Sequence, residues 1–348
     1  MIPRERLFAA LEKKTPDRLP AMELAIDWKV IKSLGFSGYF DAIENLDLDA
    51  VTANQLCYQI GHRRFTAKPG HTYKDQWGVT KRITQEILPI PIEHPVKDKR
   101  DLVQYKPPDP SRDLVLKALK KVTKRYKGKR AVLFLGGAVF VVSWNLCGME
   151  NLLSSYLLNP GFAKDLAQIA VEYNKELHRL AIEAGAEVVV LGDDYAHKLG
   201  PLMSPEQFRE FILPGLSEIV RNIKTLGAYC IKHTDGNIWS IIDPIIETGI
   251  DGIGPLEPMA GMDLSEVKKR YGHKVCVVGN VDVDLLCRGS VEDIHKSTKE
   301  LIDHVSPGGG HILSSGNSIT SSVKAENFLA MIDTVKKHGS YPAKNTAK

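Results

Sequence analysis

Short runs rich in Val, Ile and Leu alternate along the chain with longer stretches of helical period, and this alternation restricts the fold more than any other feature. Strands separated by helix-length segments pair in parallel, and the helices then cover the sheet. Eight such runs are present, at 19–24 (LPAMEL), 48–53 (LDAVTA), 131–135 (AVLFL), 187–192 (EVVVLG), 228–233 (AYCIKH), 249–254 (GIDGIG), 274–279 (KVCVVG) and 310–315 (GHILSS). Helices are expected at 3–13, 112–126, 162–185, 204–225, 237–247, 263–271, 290–304 and 323–337. Ser204, with Pro205 next and Gln207 at the third position, is a helix start whose side chains satisfy free backbone groups. The pattern predicts an α/β chain closed as a (β/α)8 TIM barrel, and 348 residues at 43% hydrophobic content suffice for such a core.

The rhythm breaks from 54 to 111. That stretch holds RRFTAK, DQWGVTKRITQ and the proline-rich ILPIPIEHPVKDKRDLVQYKPPDP, which read as β-ribbon and irregular chain. It is too short and too poor in apolar residues for a core of its own. The expectation is one domain over 1–348, with the 54–111 insertion after the second strand forming a cap near the barrel mouth.

Composition removes several function classes. Forty-six basic against forty-two acidic residues leave a net charge of +4, and the basic run at 117–130 has the spacing of a solvated helix face, so no nucleic-acid partner is inferred. Five widely spaced cysteines without a C-x-x-C pair argue against a disulfide scaffold or zinc ribbon and fit a reducing cytoplasm. The N-terminus has no apolar signal core, and the longest near-apolar run, AVLFLGGAVFVV at 131–142, is too short to span a bilayer. A soluble, uncleaved cytoplasmic protein with no membrane partner is expected; its oligomeric state is open, a homodimer included. SPGGGH at 306–311 precedes a strand and reads as a tight turn, and LGGAVF at 135–140 lacks the spacing of a dinucleotide loop.

In a barrel of this kind, side chains that do chemistry sit where the strands end and the following loops converge. Those ends carry Glu23, Asp27 and Asn54, then Asp193, Asp194 and Tyr195, then His233 and Asp235, Glu257, Asn280 and Asp282, and Ser314, Ser315 and Asn317. Singly, a carboxylate after a strand caps the next helix, and that reading serves Asp235, Asp263 or Asp282. Several strands delivering oxygen and nitrogen donors to one rim point instead to a site. His233 and Asp235 are two apart, so an extended chain turns both to one side, and Glu257 ends the next strand. An imidazole and two carboxylates suit Zn²⁺ with an open fourth position.

The segments RERLFAALEKKTPDRLP at 4–20, DQWGV at 75–79, LLNPGFAKDL at 157–166, GDDYAHKLGPLMSPEQFREFILP at 192–214, HTDGN at 233–237, GPLEPMAGMDL at 254–264, GNVDV at 279–283 and HILSSGNSI at 311–319 together resemble the uroporphyrinogen decarboxylase superfamily. The likeness spans nearly the whole chain and implies the barrel fold. That superfamily includes decarboxylases and methyltransferases that work with corrinoid proteins. The decarboxylases carry an arginine-rich segment after the first strand that binds substrate carboxylates. This chain has ELAIDWKVIKSLGF there and no arginine from Leu19 to His62, which points to the methyltransferase branch.

In that branch the resemblance implies a zinc site beginning H-x-C at the fifth strand, with a glutamate near the sixth in some members and a second cysteine near the eighth. Here His233 and Glu257 match, Asp235 stands in place of the first cysteine, and Ser314 or Ser315 where a thiolate is expected. An oxygen-rich ligand set leaves the ion a harder Lewis acid, matched to an oxygen leaving group. The expected activity is therefore transfer of a methyl group from a methyl ether, most plausibly a methoxyaromatic, to the cobalt of a corrinoid supplied by a partner protein. Asp193 or Asp194, with Tyr195, is expected to orient a ring hydroxyl or relay a proton, with Glu23, His197, Asn280, Ser315 and Asn317 as substrate contacts. The alternatives are a carboxy-lyase acting on a smaller acid, and a non-catalytic barrel that binds a corrinoid protein.

Overall fold

The structure, a computed structural model, describes residues 1–53, 69–84 and 89–342. Asn54, the RRFTAK segment and the end of the tail lie outside the described residues. Seven strands form one parallel sheet whose spatial order is the chain order. Numbered within this sheet they are β1 (Ala50–Ala53), β2 (Ala131–Gly136), β3 (Val188–Gly192), β4 (Tyr229–Thr234), β5 (Gly252–Pro255), β6 (Cys276–Val278) and β7 (His311–Ile312). Each falls on one of the apolar runs.

Alternate residues of the strands feed two separate cores, which is why the runs read as continuously apolar. Leu133, Val188, Val190, Ile231, Val278 and Ile312 share one cluster with Leu7, Ala10 and Leu11 of the helix Pro3–Leu11. Val132, Phe134, Val189, Leu191, Cys230 and Val277 belong to the other, with the covering helices. Full burial of each such side chain contributes about 1.5–3 kcal/mol, so register is strongly fixed. Parity then places His233 on the inner face with Ile231, and Lys232 and Thr234 on the outer face with Cys230.

The run at 19–24 does not form a regular strand. Its backbone nonetheless bonds on both sides: Met22 N–H donates to the Leu313 carbonyl (3.0 Å), Leu313 N–H to the Pro20 carbonyl (2.9 Å), and Asp49 N–H to the Ala21 carbonyl (2.8 Å). Pro20 has no N–H, and the Ala21 N–H is taken by the Asp49 carboxylate (2.8 Å), so the ladder is too sparse for a strand.

The expected helices are present with shifted ends, among them Leu114–Tyr126, Pro160–Glu183, Leu264–Tyr271, Val291–His304 and Ala325–His338. Ser204 makes the expected reciprocal cap with Gln207, and a π turn at Phe208–Ile212 leads into the helix Leu213–Thr225. Helices at Trp28–Ser33, Tyr39–Asn45, Phe140–Cys147, Met149–Leu158 and Val283–Arg288 were not expected from the pattern. In the inserted stretch Thr72–Lys74, Thr80–Arg82 and Ile90–Glu93 form an antiparallel ribbon, followed by a helix Lys99–Gln104 where irregular chain was expected; Asp98 caps it. The ribbon is moored on the long helix: the Trp77 and Tyr173 rings lie 4.4 Å apart, and Gln76 donates to Asp113 and to the Tyr173 hydroxyl. The SPGGGH segment is a turn in which Gly308, Gly309 and Gly310 all have positive φ.

Candidate metal centre

The neighbouring strands β3 and β4 run in register to the pair Gly192–His233, so the residues that follow each strand emerge side by side. His233 Nε2 lies 3.4 Å from Asp235 Oδ1 and 3.9 Å from Asp194 Oδ1, and one ligand atom from each of the three falls within 4.8 Å of the others. Two ligands on a tetrahedral ion with bonds of 2.0–2.1 Å are about 3.3 Å apart, close to the His233–Asp235 spacing.

Asp235 Oδ1 is buried and has no hydrogen-bond partner among the described residues. A buried charged oxygen left in that state costs several kcal/mol unless a cation meets it. Burial pushes the Asp235 carboxyl up to about 6; His233 pulls it down, while Asp194 and Glu257 add like-charge repulsion. These donors therefore fit a divalent cation. Taken singly, strand-end carboxylates read as helix caps. Asp263 and Asp282 do cap helices, at Leu264–Tyr271 and Val283–Arg288. Asp235 does not; its backbone N–H donates to Asp194 Oδ1 (3.1 Å).

Glu257 follows β5 and joins the group through an amide. Its Oε2 accepts from Gly236 N–H (2.9 Å), and its Oε1 from Asn317 Nδ2 (3.1 Å), the same nitrogen that donates to Asp235 Oδ2 (2.9 Å). Asp194, expected as an acid–base group, thus lies nearer the imidazole than the expected ligand Glu257. Gly236 must be glycine: φ is +80°, and a Cβ would stand 2.5 Å from the Ala196 carbonyl carbon. Leu256, just before Glu257, sits in the left-handed region at φ +59°, a strain on the order of 1–3 kcal/mol. The buried Asn280 amide donates to the Leu256 carbonyl and holds that turn, so Asn280, expected to touch substrate, supports the Glu257 loop.

Glu23, Ser315 and Asn317 form one chain of contacts. The buried Glu23 carboxyl meets Ser315 N–H (2.8 Å) and the Ser315 hydroxyl (2.7 Å), and that hydroxyl also contacts the Asn317 carbonyl. Burial pushes Glu23 up to about 8, although both Ser315 bonds pull it down. With Glu23 carrying its proton, it donates to Ser315, which donates to Asn317. Glu23, His233, Ser314, Ser315 and Asn317 line a cavity of about 10 Å³, room for no more than one water.

Asp193 and Tyr195 stand apart from this group. The wholly buried Asp193 carboxylate accepts from the N–H groups of Val139, Phe140 and Val141 (2.9, 2.9 and 2.6 Å), capping the helix Phe140–Cys147 from a distant strand end. Tyr195 is wholly buried between the Phe140 and Phe208 rings, and burial, then Asp193, raises its hydroxyl well above the ordinary range. His197 is on an exposed hairpin, Ala196–Pro201, where its Nδ1 accepts from Leu199 N–H and its carbonyl from Asn237 N–H. One group of interest escaped the sequence reading: Lys232, wholly buried behind His233. Its signal was a lone charged residue inside the apolar run AYCIKH.

Residues 73–338 match the family described as Uroporphyrinogen decarboxylase (URO-D). The chain belongs to the URO-D family. Among similar proteins of that family, the uroporphyrinogen decarboxylase of Thioalkalivibrio sulfidiphilus is 25% identical over 71% of this chain and 72% of its own length. The methylcobamide:CoM methyltransferase MtbA of Methanosarcina acetivorans is 23% identical over 97% of this chain and 98% of its own. A solved methyltransferase structure from Methanosarcina mazei superposes with a TM-score of 0.76 at 20% identity, covering 97% of this chain and 99% of that one. Among the described residues, no helix of this URO-D chain is long and apolar enough to cross a membrane.

Proposed function

We propose that this URO-D family chain is a methyltransferase that takes a methyl group from a methyl ether, a methoxyaromatic compound, and delivers it to the cobalt of a corrinoid carried by a partner protein. Similarity to MtbA runs the full length of both chains and supports the methyltransferase branch over the decarboxylases. The observation that carries the choice of substrate is the donor set: His233 is accompanied by the carboxylates of Asp194, Asp235 and Glu257 and, among the described residues, by no thiolate, Asp235 standing where the family resemblance implies a cysteine. We further propose that residues 19–24 complete the barrel as an eighth stave, and that the inserted ribbon lies over its mouth within one domain.

His233, Asp235 and Asp194 would hold a zinc ion, with Glu257 as the adjoining carboxylate. When bound, the ion supplies Lewis acidity toward an oxygen that gains charge. Asn317 fixes Asp235 and Glu257 relative to each other with the two hydrogens of one amide. Asp194, with a side chain 47% exposed, would also orient a ring hydroxyl arriving from solvent. In the reaction the methyl carbon–oxygen bond breaks with its electron pair kept by oxygen, and the reduced corrinoid provides the pair for the new carbon–cobalt bond. The leaving phenolate takes its proton from solvent.

The similarity to MtbA favours a second reading, methyl transfer between a corrinoid and a thiol. One assay separates them. Reduced cobalamin, protein and 2-methoxyphenol should give methylcobalamin and free catechol in equal amounts, whereas methylcobalamin with coenzyme M should show no protein-dependent demethylation. The reverse pattern would replace the ether by a thiol.

A further inference from the structure

We infer that Lys232 is a positioning residue that staples the end of β3 to the end of β4 and thereby sets Asp194 against His233. The inference rests on the metal reading of that site.

Lys232 is wholly buried on the outer face of β4, turned away from the cavity that His233 lines. Burying an ammonium is costly and needs close compensation. It is found here in backbone oxygens: Nζ donates to the carbonyls of Asp193 (2.7 Å), His233, and more distantly Leu191 (3.4 Å), and it stands 4.2 Å from the centre of the Tyr195 ring. Those carbonyls sit where the β3–β4 ladder runs out. The last register pair is Gly192–His233, and one long backbone bond follows it, Asp193 N–H to the His233 carbonyl (3.3 Å). Beyond that point side chains of β4 take over the pairing. Lys232 grips the Asp193 carbonyl, and the buried Thr234 hydroxyl accepts from Tyr195 N–H (3.1 Å). Asp194 lies between these two tethers, one on each of its flanking peptide units. Its backbone is therefore fixed on both sides by bonds made behind it, and its carboxylate is further held by Asp235 N–H at Oδ1 (3.1 Å).

Outer hydrogen bonds that orient metal ligands typically account for about 10–100-fold in affinity. Similar chemistry occurs among the described residues without a site attached: Lys268 Nζ donates to the carbonyls of Gly309 and Gly310, just before the edge strand β7. Lys268 is therefore the control for mere structural anchoring.

The test uses the full chain, stripped of metal and titrated with Co²⁺ under visible d–d absorption, with urea unfolding alongside. Lys232→Met should weaken Co²⁺ binding by about 10–100-fold and change the intensity or position of the d–d bands. Lys268→Met should lose stability while keeping the wild-type affinity and spectrum. Thr234→Val, nearly isosteric, removes the second tether and should weaken binding several-fold even if Lys232→Met does not fold. Wild-type affinity and spectrum in either Lys232→Met or Thr234→Val would overturn the inference, as would equal weakening in Lys268→Met. A wild-type chain that gives no d–d spectrum would instead overturn the metal reading on which it rests.

Discussion

Asn317→Ala probes the site without touching a ligand atom. The substitution deletes the one nitrogen that donates to Asp235 Oδ2 at 2.9 Å and Glu257 Oε1 at 3.1 Å. Each bond to a charged acceptor is worth roughly 1.5–3 kcal/mol. Water recovers part of that, because the Asp235 side chain is 28% exposed. The two carboxylates are then free to rotate apart under their mutual repulsion, and a cation must spend free energy on bringing them back. The net loss falls near 1.4–2.8 kcal/mol, a zinc dissociation constant about 10–100-fold weaker. Competition against a chromophoric chelator measures it, with circular dichroism to show that the metal-free variant stays folded. An unchanged dissociation constant in a folded Asn317→Ala protein would refute the reasoning, since it would mean that the Asn317 amide does not hold Asp235, beside Glu257, in place for the ion.

Other outcomes follow from the same geometry. Asp235→Cys should keep the metal and, with Co²⁺ bound, add a thiolate charge-transfer band while demethylation of the methoxyphenol falls by tenfold or more; ether activity at the wild-type rate would remove the argument from ligand hardness. Asp193→Ala should destabilise the fold by about 3 kcal/mol in urea, through loss of three bonds at the start of Phe140–Cys147, whereas Asp194→Ala should cost under about 1 kcal/mol yet weaken metal binding; the opposite ranking would reverse the roles assigned to the two aspartates. Glu23 is held up to about 8 by burial, so the folded chain keeps a proton that the unfolded chain releases near 4.5. The stability tied to that proton is complete below about pH 4.5 and is lost as pH rises toward 8. Metal-free Glu23→Gln should therefore gain on wild type between pH 5 and pH 8 in urea unfolding, and a flat difference would count against the buried acid.

The strands were legible because both faces of each are buried, so every run was apolar and short. The run at 19–24 was misjudged because its pairing depends on Pro20, which has no N–H, and on the Asp49 carboxylate, which replaces a backbone partner for Ala21. The helix Phe140–Cys147 was missed for a related reason. Its sequence opens on Phe140 and two valines, and its cap is Asp193, more than fifty residues away, so no local start signal exists. That same bond explains why Asp193 looked catalytic: a carboxylate at a strand end has one appearance whether it faces a substrate or another helix. That the His233 and Asp235 side chains come together was legible because a spacing of two on an extended chain is a geometric statement. Lys232 was not, because only register shows that its ammonium reaches the carbonyls of the next strand.

Metal analysis of the protein purified with zinc present, wild type beside His233→Ala, bears most directly on the claim that an imidazole and neighbouring carboxylates share one ion. About one zinc per wild-type chain and almost none in the variant is the predicted result. Equal zinc in both proteins, or a metal-free wild type that still demethylates the methoxyphenol, would contradict it.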